Sequence, residues 1–104
     1  MANTYTQLYI HLVFAVKKRE HLIRESFRVK LQQYTTGIIQ NKKHKLLAIY
    51  FMPDHAHILL GLNPAVSISQ MVRLIKAETT NFINENRLIP FHFSWQTGYS
   101  AFSH

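Results

Sequence analysis

The tripeptide His55-Ala56-His57, inside the run Met52-Pro-Asp-His-Ala-His-Ile-Leu-Leu60, brings together two residues of a type that binds metal ions. In an extended strand, side chains two positions apart point the same way. Both imidazoles therefore leave one face, while Ala56, Ile58, Leu60 and Leu62 enter the core. Two imidazoles on a rigid strand suit a divalent ion such as Mn²⁺ or Co²⁺ and leave coordination positions open, as catalysis requires. The competing reading is a solvated sheet face that holds no ligand. The chain has no cysteine, which excludes a disulfide framework and a thiolate zinc site; any metal falls to histidine, carboxylate or amide groups.

Other candidates point to a polyanion. Twelve Lys and Arg against five Asp and Glu give a formal charge of +7, which favours a partner such as nucleic acid. A basic surface that only maintains solubility has the same composition. The cations fall into two groups, Lys17, Lys18, Arg19, Arg24, Arg28 and Lys30, then Lys42, Lys43 and Lys45. Tyr9 and His11, on the polar face of the first strand with Tyr5 and Gln7, have the chemistry to stack a base or contact a phosphate. Packing beneath another segment would use the same two residues. Lys76, on a helix but off its apolar stripe, reads as a phosphate contact or as an ordinary solvated lysine. Tyr34, Tyr50 and Tyr99 have no acid or base neighbour in sequence to activate a phenol, and Tyr34 reads as core.

The elements that must position these residues follow from periodicity. Leu8, Ile10, Leu12, Phe14 and Val16 alternate as one face of a strand within Tyr5 to Lys18. Phe27, Leu31, Tyr34 and Ile38 recur at helical spacing between about Ile23 and Asn41, with Gly37 weakening the last turn. Leu46 to Met52 and His55 to Leu62 read as two strands joined by a tight hairpin at Pro53-Asp54. Ser67 with Gln70 makes a capping box. It opens a helix striped by Ile68, Met71, Val72, Ile75, Phe82 and Ile83 that runs out near Asn86. Phe91, Phe93 and Trp95 alternate with His92, Ser94 and Gln96 as a last strand, and a further extended stretch follows Gly98.

The order strand, helix, strand, strand, helix, strand (βαββαβ) is the split βαβ, ferredoxin-like arrangement, an α+β fold with an antiparallel sheet and both helices on one face. The 104 residues suffice for one domain, expected to span 1–104. No stretch approaches the roughly 20 apolar residues of a membrane span, and the N-terminus lacks a basic-then-apolar signal, so a cytoplasmic protein is expected.

Three segments resemble successive signatures of the HUH-type single-tyrosine transposases, including their REP-associated relatives. They are His11-Leu-Val-Phe-Ala-Val-Lys-Lys-Arg19, Met52-Pro-Asp-His-Ala-His-Ile-Leu-Leu60 and Trp95-Gln-Thr-Gly-Tyr-Ser-Ala-Phe-Ser103, in order across nearly the whole chain. The resemblance implies that His55 and His57 are the HUH pair, holding Mg²⁺ or Mn²⁺ against the scissile phosphate of single-stranded DNA. It also implies tyrosine attack, a 5′-phosphotyrosine link with a free 3′-hydroxyl, recognition of DNA hairpins and work as a homodimer. In the family the nucleophile lies on a helix after the Trp-Gln-x-Gly-Tyr segment, and that helix supplies a further ligand, commonly glutamine. Tyr99 matches the strand residue just before it. The expectation is a complete scaffold lacking that helix, with an incomplete active site. The alternatives are a non-catalytic hairpin-binding module, acting as a transposase remnant or dimerisation inhibitor, and an RNA-binding ferredoxin-like domain. The last lacks the expected Lys/Arg-Gly-Phe type signature on its third strand.

Overall fold

A computed structural model describes residues 8–103. Tyr5 and Gln7 lie outside the described residues. The alternation around Leu12 gives β1 (Tyr9–Ala15), in which Ile10, Leu12 and Phe14 are buried. A short 3-10 turn (Lys17–Arg19) leads to α1 (Glu25–Asn41), then β2 (Lys45–Phe51), β3 (His55–Gly61), α2 (Ile68–Glu85) and β4 (Ser100–Ser103). The strands form one antiparallel sheet in the order β2-β3-β1-β4, the ferredoxin-like order expected of this α+β arrangement.

The core lies between the sheet and the two helices. β1 and β3 contribute Leu12, Phe14, Ala56, Ile58 and Leu60, all nearly inaccessible, and α2 contributes Met71, Val72, Ile75 and Ile83. On α1 the buried line is Phe27, Leu31, Thr35 and Ile39, so the predicted stripe is rotated slightly. Tyr34 and Ile38 flank it half-buried, and Tyr34 stacks on Phe82 of α2 with ring centroids 4.4 Å apart. The hydroxyl of Thr35 donates to the Leu31 carbonyl at 2.8 Å and that of Thr79 to the Ile75 carbonyl at 2.6 Å. Each threonine thereby satisfies its polar atom within its own helix and packs as an apolar residue.

Local chemistry sets the helix ends. The Ser67–Gln70 capping box is formed in both directions at the start of α2. At the far ends of α1 and α2, Lys43 and Arg87 take left-handed conformations with φ of 65° and 50°. The amides that follow them bond back across the last turn, His44 N–H to the Ile39 carbonyl and Leu88 N–H to the Ile83 carbonyl.

The structure corrects the last strand. Residues 91–96 make only an isolated bridge, Val16 to Trp95, and the strand at the sheet edge is Ser100–Ser103. Alternation arose there for another reason. Phe93 and Trp95 are buried against the core, while Asn84 clamps the backbone of the segment, accepting from the Phe93 N–H at 2.8 Å and donating to the Phe93 carbonyl at 3.2 Å. The Trp95 indole N–H is satisfied by Thr79 at 2.9 Å. Gly98, with φ of +90°, then turns the chain into β4.

Candidate functional site

The pairing of β1 with β3 brings three histidines together, among apolar neighbours, on the sheet face away from the helices. Ala15 faces His55, Val13 faces His57 and His11 faces Leu59. Because alternate residues share a face, His11, Val13, Ala15, His55 and His57 all point outward, as does Tyr50, the β2 partner of His57. His55 and His57 are half-buried, and the residue between them, Ala56, is fully buried.

The imidazoles form a continuous chain of contacts. His55 Nε2 and His57 Nε2 lie 2.9 Å apart. His57 Nδ1 is 3.0 Å from His11 Nε2, with the two rings stacked at 5.1 Å. His55 Nδ1 is 2.7 Å from Asp54 Oδ1, and Arg19 Nε donates to Asp54 Oδ2 at 3.0 Å. The hydrogen bond to His55 holds the Asp54 carboxyl down at about 2, with the Arg19 guanidinium adding to the shift. Burial lowers the His57 pKa, and charge interactions with His55 and then His11 lower it further.

This arrangement has a chemical consequence. Two imidazole lone pairs 2.9 Å apart need a proton between them or a cation on both. Metal–nitrogen bonds of about 2.1 Å at right angles put two ligand atoms about 3 Å apart, so the pair has the spacing of neighbouring positions around a divalent ion. His11 is not a third inward ligand, because its Nε2 meets the far nitrogen of His57. Among the described residues no group of three or more His, Cys, Asp or Glu side chains converges as a metal cage.

The remaining site candidates lie at different distances from the pair. Lys17, Lys18 and Arg19 are exposed in the turn that follows β1. Arg19 and His55 line one side of a cleft of about 320 Å³, and Gln96, Thr97, Gly98, Tyr99 and Ser100 line the other. Lys42, Lys43 and Lys45 lie at the opposite end of the sheet, where Lys45 pairs with Gly61 and the Asn63 amide reaches the Lys42 carbonyl. Tyr9 shares the open face but sits opposite Gly61, beyond His11 and far along the strand from His55. Lys76 directs its ammonium to the carbonyls of Gln96 at 2.8 Å and Gly98 at 2.6 Å, 5.7 Å from the Phe14 ring centroid. It holds one wall of the cleft in place. Arg28, counted with the first basic group, donates from Nη2 to the Ile23 carbonyl at 3.0 Å.

Sequence reasoning passed over Asp54, reading it as turn punctuation. Its place directly before the His-x-His pair was the available signal, since histidine ligands so often carry a carboxylate behind them. The contact of Arg19 with Asp54 spans 35 positions and had no local signal.

Residues 4–104 match the family model described as "Transposase IS200 like". The ISDra2 transposase TnpA of Deinococcus radiodurans is 29% identical over 70 residues, which span 67% of this chain and 50% of that protein. The matched part is thus about half the length of this curated relative. Among solved structures, a Deinococcus radiodurans protein assigned as a transposase superposes with a TM-score of 0.88 at 22% identity, covering 100% of this chain and 84% of the other. A REP-associated tyrosine transposase bound to a REP hairpin superposes with a TM-score of 0.68 at 15% identity, covering 100% and 61%. Those two structures support the shared fold, and the family match, which runs through both the His55/His57 strand and the Trp95–Ser103 segment, goes further: the chain belongs to the IS200-like transposase family.

Proposed function

We propose that this chain grips single-stranded DNA hairpins and takes part in metal-assisted cleavage and rejoining of the strand. The observation that carries the reading is the convergence of His55 Nε2 and His57 Nε2, 2.9 Å apart, beside a cleft walled by Arg19. These two side chains would hold Mg²⁺ or Mn²⁺. When bound, such an ion supplies charge stabilisation to a phosphate oxygen of the DNA. The chain's own residues orient the strand: Arg19 lines the cleft, Lys17 and Lys18 add exposed cations to the same turn, and the loop clasped by Lys76 forms part of the cleft's lining. Family membership supports a tyrosine nucleophile, a 5′-phosphotyrosine intermediate and work as a dimer.

The attacking tyrosine is assigned to none of the described residues. Tyr34 lies between the helices with its hydroxyl on Glu78 at 3.2 Å. Tyr9 sits at the far end of β1, and Tyr50 is exposed beside His57. Tyr99 lines the cleft, yet among the described residues no hydrogen bond joins a tyrosine to the histidine pair. The second reading, a hairpin-binding module that never transfers a strand, rests on the +7 charge together with this lack of a placed nucleophile.

The test is a calorimetric titration of Mn²⁺ into the chain and into a His55→Ala/His57→Ala variant, with and without a single-stranded DNA hairpin. Binding that disappears in the variant is expected; equal binding, or none, would remove the metal from the reading. Hairpin affinity should fall steeply with salt. Tyr99→Phe should leave hairpin affinity unchanged, and a DNA adduct of the unsubstituted chain that this change abolishes would make Tyr99 the nucleophile.

A further inference from the structure

We propose that His11 and Asp54 are positioning residues, each holding the outer nitrogen of one imidazole of the pair so that both Nε2 atoms turn to a common point. The inference rests on the metal reading above and adds what makes the pair a site rather than two surface histidines.

A histidine that binds a cation through Nε2 must carry its proton on Nδ1, and whatever Nδ1 donates to fixes both tautomer and ring angle. Both Nδ1 atoms here have such a partner. His55 Nδ1 meets Asp54 Oδ1 at 2.7 Å, a carboxylate oxygen, and His57 Nδ1 meets His11 Nε2 at 3.0 Å, a ring nitrogen. The two partners come from different places, one from the β2–β3 turn and one from the neighbouring strand. Asp54 is itself held: Arg19 Nε bonds its second oxygen at 3.0 Å, and the Asp54 carbonyl accepts from the Val16 N–H at 2.8 Å. His11 is held by its ring stack on His57 and a tilted contact with Phe102 of β4, with centroids 6.0 Å apart. His11 is thus assigned to the pair, and its role in stacking a DNA base is given up.

The two roles separate experimentally. Mn²⁺ affinity is measured by calorimetry for the unsubstituted chain and for His11→Phe, His11→Gln, Asp54→Ala and His55→Ala/His57→Ala, with melting temperatures and hairpin affinities in parallel. Phenylalanine keeps the stack but has no acceptor, whereas the glutamine amide oxygen reaches where Nε2 was. Loss of an outer partner of a ligand histidine costs about 10- to 100-fold in metal affinity. That loss is expected for His11→Phe and Asp54→Ala, with His11→Gln returning most of it and melting temperatures little changed. If the unsubstituted chain binds Mn²⁺, the double variant does not, and His11→Phe binds as tightly as the unsubstituted chain, the positioning role is overturned and the metal reading stands. If His11→Phe weakens only the hairpin, His11 contacts DNA instead. No Mn²⁺ binding by the unsubstituted chain would overturn both.

Discussion

Replacing Lys76 by methionine tests whether this lysine is a clasp or a phosphate contact. Its ammonium donates to the carbonyls of Gln96 and Gly98 at 2.8 and 2.6 Å, tying α2 to the loop that leads into β4. A hydrogen bond from a charged donor contributes about 1.5–3 kcal/mol when shielded from water. Lys76 is half-buried, so solvent competes for the same carbonyls, and methionine retains most of the stem's packing over Phe14. Halving the pair for exposure leaves a loss of about 1.5–3 kcal/mol. For a domain of this size that lowers the melting temperature by roughly 6–20 °C. The assay is thermal unfolding followed by circular dichroism, with Arg73→Met, an exposed change on the same helix, as the control expected to stay within about 0.5 kcal/mol. An unchanged melting temperature together with weakened hairpin binding would refute the clasp and put Lys76 on the DNA.

Other outcomes follow from the same geometry. Thr79→Val strands the buried Trp95 indole N–H and should lower the urea unfolding free energy by about 1–3 kcal/mol; a neutral result would mean the indole finds another acceptor. Ser67→Ala opens the capping box and should cost about 1 kcal/mol by the same measurement. Burial lowers the pKa of His44, and burial with neighbouring histidines lowers that of His57, both from 6.5. The unfolded chain therefore takes up these protons first, so stability is full above that value and falls as the pH drops through the lowered folded pKa values. Asp54, held at about 2, keeps its contribution until the pH falls below 3.8 toward that value. Urea midpoints at about pH 7.5 and about pH 5.5 should show the histidine loss, and a flat or rising profile would contradict it.

The sequence was most readable where one period ruled a whole element. In β3 the buried Ala56, Ile58 and Leu60 leave no choice of face for His55 and His57, and in α2 the capping box marks the start of the helix. Reading failed where letters misstate roles. Thr35 and Thr79 look polar yet line the core, because each returns its hydroxyl to a carbonyl one turn back. Phe93 and Trp95 alternate like a strand, but their backbone is held by Asn84 and β1 rather than by a ladder. The His11–His57 contact joins residues 46 positions apart and exists only once β1 and β3 are paired in a particular register. No local pattern encodes that register.

The turn after β1 gives an independent reason to treat this corner of the sheet as built. Lys18 and Arg19 adopt φ of 58° and 56°, a region that residues other than glycine enter at a cost of about 1 kcal/mol or more each. Glycine in both places would remove the strain. It would also remove the guanidinium that grips Asp54 and an exposed cation of the same turn. The turn is held against its strain by the Arg19 N–H to Val16 carbonyl bond at 2.8 Å and by Lys17 N–H to the Ser94 carbonyl at 3.2 Å. The strain sits one contact from the histidine pair, because the Arg19 side chain reaches Asp54 and Asp54 meets His55. A carboxylate behind a histidine pair, and an arginine behind the carboxylate, are what a pair presenting two nitrogens at fixed separation would use, so the strained turn supports the proposed metal reading.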